Sequence, residues 1–317
     1  MKMRPARIAL AVLLVQSAVG FAAPPEWAFP GCTSTTPDDL DQTVTVPGST
    51  RRFSLRQIRD RSTAPDWFPD AHPAAPSVVM SRGAGGAMPC GYCHLPDGRG
   101  RPENASLAGL PAPYIVAQVE AMRAGSRVPA VPGWLPSQLM IDSVHDLTEA
   151  DIGEAARYFW ELDARPAVSV VEASTVPAHG AACFVEVPRP GPPAALGKRI
   201  LELPLDVERF ERRDPRAEYV AYVPPGSIAR GRALAESGRP GKTPSCSSCH
   251  GPELRGAMDL TGPPLAGRFP HYLFRQLVGF REGARRGPAT APMQAVAATL
   301  SDEDFIDAAA YAASLVP

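Results

Sequence analysis

Two five-residue stretches carry the chemistry of this chain: Cys90-Gly91-Tyr92-Cys93-His94 and Cys246-Ser247-Ser248-Cys249-His250. Each sets two thiols two residues apart and follows them with an imidazole, the spacing of covalent c-type haem attachment. The thiols reach the two vinyl groups of one porphyrin, and the adjoining ring nitrogen reaches the iron. One such stretch also fits a zinc half-site or a redox dithiol. Two, each followed by the same downstream pattern, select the haem reading. Cys90, Cys93, Cys246 and Cys249 are then the anchors, and His94 and His250 the first axial ligands.

The downstream pattern is an internal repeat. Ser106-Leu107-Ala108-Gly109, Tyr114, Gln118, Met140, Leu147 and Tyr158 follow the first stretch. Pro264-Leu265-Ala266-Gly267, Tyr272, Gln276, Met293, Leu300 and Tyr311 follow the second. Eighteen positions separate Met140 from Tyr158, and eighteen separate Met293 from Tyr311. A thioether opposite histidine closes the iron and raises its potential, which suits electron transfer. Met140 and Met293 stand in matching places, read as the loop before each terminal helix, and are the expected sixth ligands. Met122 and Met258 lack counterparts, and Met80 and Met88 precede the first motif. His145, five residues past Met140, is the rival ligand there. His271 is expected on a solvent-facing helix, and His72 and His179 in irregular surface segments. Arg281, Arg285 and Arg286 read as a solvated helix end.

The elements that must position these groups are mostly helical. Ser227 can cap a helix through Ile228, Ala229 and Leu234 that stops at Gly238. The matching run from Ser77 to Arg82 is shorter and ends in glycines. Tyr114 to Arg123 and Tyr272 to Phe280 carry apolar residues at helical spacing. Thr148 with Asp151, and Ser301 with Asp304, form capping-box starts for the last helix of each unit. Residues 24–75 form a Pro- and Asp-rich arm. Residues 166–224 form a long connection with two strand-like runs, Val168 to Val171 and Tyr219 to Val223, and are expected to wrap over the haem units.

Composition bounds the rest. The chain has 317 residues, 44% of them hydrophobic, and 37 prolines. Such length suggests two domains, and so much proline favours short helices joined by irregular segments. The formal charge of −1 leaves no nucleic-acid footprint. Residues 1–23 read as a cleaved secretory signal: Lys2, Arg4 and Arg7, then the apolar run Ile8 to Val15, then small residues through Ala23. Losing those three cations takes the formal charge from −1 to −4. Outside the cytoplasm the two remaining cysteines, Cys32 and Cys183, are either partners in a disulfide or two unrelated thiols.

The haem motif, the Leu-Ala-Gly turn, the Tyr-x-x-x-Gln helix and the late Met before a capped helix together resemble class I cytochrome c domains. Their tandem arrangement, over residues 76–165 and 225–317, is similar to the cytochrome c4 type and the wider periplasmic di-haem cytochrome c family. The resemblance implies a mainly α fold with two covalently bound haem c groups. It implies a soluble periplasmic carrier that moves single electrons between a donor and an acceptor protein, membrane-bound respiratory proteins included. Its rivals are a dedicated haem subunit of a periplasmic dehydrogenase complex and a di-haem peroxidase, which needs one iron with an open position. In this family the proline carbonyl of a Gly-Pro-x-Leu turn accepts the axial imidazole N–H. Gly262-Pro263 matches that turn, whereas the first unit has Asn104-Ala105.

Overall fold

The computed structural model describes residues 23–33, 39–81, 84–166, 168–259 and 262–317, so nearly all of the expected export signal lies outside the described residues. Among the described residues, a one-turn entry helix, Ser77–Met80, and four further helices build the first unit: α1 (Cys90–His94), α2 (Ala112–Arg123), α3 (Leu135–His145) and α4 (Glu149–Glu161). Five build the second: α5 (Ser227–Ser237), α6 (Ser247–His250), α7 (Pro270–Arg281), α8 (Ala291–Thr299) and α9 (Asp302–Ser314). Both capping boxes form. The Thr148 hydroxyl accepts from Asp151 N at 3.1 Å and the Ser301 hydroxyl from Asp304 N at 3.2 Å, and each carboxylate accepts the cap residue's own N–H in return. Two otherwise orphaned donors are thereby satisfied at each helix start.

Those two capped helices anchor the cores. Ile152, Ala156 and Phe159 of α4 pack into an apolar cluster with Val78, Val79, Ile115 and Val119, while Phe305, Ala309 and Ala310 of α9 pack with Leu234, Phe274 and Val278. The Leu-Ala-Gly turns dock alike, Gly109 N donating to Phe159 O at 3.0 Å and Gly267 N to Ala312 O at 2.9 Å. The units differ at their entry. In the second, α5 crosses α9 so closely that a Cβ on Gly231 would stand 1.9 Å from Asp307 O, so only glycine fits. In the first, the entry helix shrinks to one turn, Ser77–Met80.

The connection holds more regular structure than its sequence pattern predicts. Its two strand-like runs become β1 (Val168–Glu172) and β3 (Tyr219–Val223), paired in parallel, with β2 (Leu201–Pro204) antiparallel on the other side of β3. The sheet buries Val168, Tyr219 and Ala221 against Phe269 and Ala313 of the second unit. From there the chain reaches the first unit. Arg213 donates to Tyr92 O at 2.7 Å, and its guanidinium lies 3.8 Å from the Tyr92 ring centre, within the first haem motif.

The arm is clamped rather than free. Trp67 Nε1 donates to Arg212 O at 2.8 Å, Trp134 Nε1 donates to Pro30 O at 3.2 Å, and Cys32 is disulfide-bonded to Cys183, 151 residues away. Of the two sequence readings for these cysteines, the paired one holds. Closing so long a loop restricts the unfolded chain strongly. Replacing both cysteines with serine is expected to lower stability by about 4 kcal/mol, read from urea unfolding as a lower midpoint with a steeper slope, since the unbridged unfolded chain exposes more surface. A midpoint equal to that of the unaltered protein would dismiss the bridge as a stabilising element.

Candidate haem sites

Each motif folds into a short helix that ends on its histidine. In α1, Gly91 lies so near the entry helix that a Cβ there would stand 2.7 Å from Val79 O. Burial pushes the Cys90 thiol up to about 12 and that of Cys246 up to about 11, and it raises Cys93 as well. A redox dithiol needs a depressed thiol pKa instead. Among the described residues, no cluster of three or more His, Cys, Asp or Glu side chains suited to a metal ion exists.

The histidines are set for ligation. The His94 ring is 7% exposed, and its Nδ1 lies 2.8 Å from Ala105 O. A carbonyl only accepts, so Nδ1 carries the proton. Burial lowers the ring's pKa, outweighing the bond to Ala105, and the neutral ring keeps a lone pair on Nε2. That Nε2 is buried without any partner. His250 repeats the arrangement, with Nδ1 2.8 Å from Pro263 O and its pKa lowered by burial. Ala105 therefore supplies the carbonyl that a proline supplies in the second unit.

His94 opens onto an apolar cleft whose walls include Cys90, Cys93, Leu110, Ile115, Met140 and Phe159. Met88 and Met122 also line it, although sequence position or lack of a counterpart set them aside. His145 is exposed at the end of α3 and does not line the cleft. Met293 is half-buried against the second core. Both methionines sit on helices, α3 and α8, and not in the expected loops. Pro136 and Pro292 do not interrupt these helices, because they fall in the first turn, where proline's missing N–H costs nothing.

Three surface expectations are corrected by burial. His271 is 4% exposed, its backbone N–H donating to the buried Glu202 carboxylate at 2.9 Å and its Nε2 lying 3.0 Å from Ile200 O. The His72 side chain is 6% exposed, with its Nδ1 3.0 Å from the Tyr158 hydroxyl and its Nε2 3.3 Å from Asp66. Arg281 is paired with Asp302 and Arg285 is 6% exposed, leaving only Arg286 of that trio on the surface. Helical periodicity assumes one buried face, whereas α7 is covered by the arm, the sheet and the first unit.

Arg285 belongs to a seam between the two units with near twofold character. Arg127 donates to Gln118 and to Gln276, both at 3.0 Å. Arg285 donates to Gln276 at 3.1 Å and to Gln118 at 2.6 Å. Tyr114 and Tyr272 flank them on the cleft wall. Burial alone raises the Tyr114 phenol, but Arg285 and Arg127 outweigh it and bring it below its ordinary value. Burial, followed by repulsion from Arg127, lowers Arg285 itself. All these side-chain partners are neutral, and the carboxylate that lines the same cleft, Glu103, is paired with Arg101 at 2.8 Å. Sequence reading missed the pair Arg127 and Arg285, though its signal was present: each arginine stands nine residues past a repeat glutamine.

Similarity to known proteins agrees with this geometry. The family model for cytochrome c matches residues 228–315. Cytochrome c4 of Azotobacter vinelandii is 27% identical over 244 residues, which are 76% of this chain and 90% of that protein. Cytochrome c-554(548) of Halomonas halodenitrificans is 38% identical over 73 residues, 23% of this chain and 87% of that protein. The thiosulfate dehydrogenase electron acceptor of Stutzerimonas stutzeri is 41% identical over 73 residues, 23% of this chain and 32% of that protein. Two tandem units, each with its attachment motif and a buried neutral histidine, carry two covalently bound haem c groups, and the chain belongs to the di-haem cytochrome c family.

Proposed function

We propose that this protein carries single electrons between two other redox proteins in the periplasm, each iron held between His94 and Met140 or between His250 and Met293. Bound haem supplies a metal that changes by one electron at each site. The chain supplies everything else. Cys90, Cys93, Cys246 and Cys249 fix the rings, and the Ala105 and Pro263 carbonyls hold each imidazole in one orientation and raise its basicity. Met140 and Met293 would each supply a thioether to the metal, and the apolar walls around His94 would exclude water and so favour a high potential. Arg127 and Arg285 offer counter-charge to the carboxylates of haem. The observation that carries this reading is the unpartnered, buried Nε2 of His94 in a cleft that Met140 also lines.

Optical and magnetic spectra of both oxidation states, with haem counted per chain, test it. Two low-spin haems with histidine–methionine ligation are expected. One high-spin haem together with peroxide turnover would replace the carrier with a peroxidase. The match to a thiosulfate dehydrogenase electron acceptor favours a second reading, a dedicated haem partner of a dehydrogenase. Stable co-purification with a large dehydrogenase subunit would select that reading over a freely diffusing carrier.

A further inference from the structure

We infer that Arg268 and Arg275 of the second unit are positioning residues for the first haem, holding in place the loop whose Ala105 carbonyl orients His94. Arg275 donates to Pro102 O at 2.5 Å. Arg268 donates to Ser106 O at 2.6 Å and to Ala108 O at 3.1 Å. The loop is thus gripped on both sides of residue 105 by guanidiniums from the other half of the molecule. Its other ties lie within the first unit: Asn104 Nδ2 donates to Cys93 O at 3.2 Å, Asn104 N to Arg101 O at 2.8 Å, and Leu107 N and Ala108 N to Gly98 O at 2.7 and 3.0 Å.

The second unit shows why the first needs this help. There the orienting carbonyl belongs to Pro263, whose ring fixes φ. Gly262 before it lies so close to the motif that a Cβ would stand 1.9 Å from Cys249 O. That loop is stiffened by its own covalent structure and by close packing. The first unit has Asn104 and Ala105 at those positions, with neither constraint. The clamp is one-sided in the same sense. Leu110 follows Leu-Ala-Gly where the second unit has Arg268, and Ala117 stands three residues past Tyr114 where the second unit has Arg275. The first unit therefore offers no reciprocal arginines at these places.

Both side chains are costly to bury. Each arginine is 5% exposed, and burial brings the pKa of each down to about 10. Their hydrogen-bond partners are carbonyls, and Arg268 Nε has none. A buried cation held by peptide dipoles, with the Trp134 ring 4.8 Å from the Arg275 guanidinium as its other partner, is an expensive way to fill space. What the guanidinium adds is a rigid fork that holds two carbonyls at a fixed separation. Because an outer hydrogen bond fixes ligand orientation and basicity, seating of the second unit is transmitted to the first iron.

This inference rests on the haem reading above, and haem stoichiometry separates the two. A holoprotein with fewer than two haems per chain fails that reading. With both haems present, Arg268→Met is expected to shift the ferric low-spin magnetic signature of the first haem and leave that of the second unchanged, the two being assigned with Met293→Ala. Arg268→Lys keeps the charge but not the fork, so it should shift the same signature by a smaller amount. Loss of charge alone moves a potential without reorienting an imidazole, so the signature isolates the positioning role. Arg268→Lys carries the same comparison if Arg268→Met yields no holoprotein. No change at the first haem, or equal changes at both, overturns the inference.

Discussion

Carbon monoxide is expected to bind the reduced second haem of Met293→Ala and not to bind that haem in the unaltered protein. The expectation follows from the proposed ligand set. Alanine carries no atom that can ligate iron. His271, the histidine nearest in sequence to the second core, is fixed between Glu202 and Ile200 O. The potential of the same haem should fall by a sizeable part of the about 0.8 V over which axial ligands tune haem iron, because the soft thioether that favours the reduced metal is gone. Fold is preserved, since Met293 lies at the edge of the core and is half-buried. Met140→Ala should do the same at the first haem, with one difference. Met88 and Met122 line that cleft, so partial religation by a neighbouring thioether would show as incomplete ligand binding. Equal binding of carbon monoxide to the unaltered and the Met293→Ala proteins would remove Met293 from the ligand set.

What could be read from sequence divides along physical lines. The haem motifs, both capping boxes and the matched methionines are local signals, each complete within a few residues or repeated in the second copy. They appear in the structure where the sequence puts them, apart from the helices that carry Met140 and Met293. Long-range burial was not legible. His72, His271 and Arg285 look like surface residues when only their own helix or segment is considered. They are buried by segments distant along the chain, as the bond from Arg285 to Gln118, 167 residues away, shows. The sheet in the connection was legible only in part. The central strand, Tyr219–Val223, is an apolar run, but Leu201–Pro204 includes Glu202, whose fully buried carboxylate meets the His271 backbone N–H at the N-terminus of α7 and lies 3.4 Å from the His271 ring. A helix N-terminus welcomes a carboxylate, and no sequence window contains both elements.

Substituting either seam arginine with glutamine is expected to lower the potentials of both haems together. A buried cation disfavours the oxidised, more positive iron, so its removal stabilises that state and the potential falls. Two unit charges 10 Å apart at an effective dielectric of ~20 exchange about 1.7 kcal/mol. For a one-electron couple that is ~70 mV, so a fall of several tens of millivolts is the scale to look for. The sharing follows from the hydrogen bonds. Arg127 of the first unit donates to Gln276 of the second, and Arg285 of the second donates to Gln118 of the first. Neither guanidinium belongs to one site alone. Glutamine keeps a donor for its neighbours, so the substitution removes charge while sparing much of the network. Titration of each haem by optical spectroscopy against electrode potential would show two parallel shifts in Arg127→Gln and again in Arg285→Gln. A shift confined to one haem would make the seam a structural contact that serves a single site. Unchanged potentials in both variants would mean that other groups already neutralise the pair, and its proposed role as counter-charge to the haem carboxylates would fall.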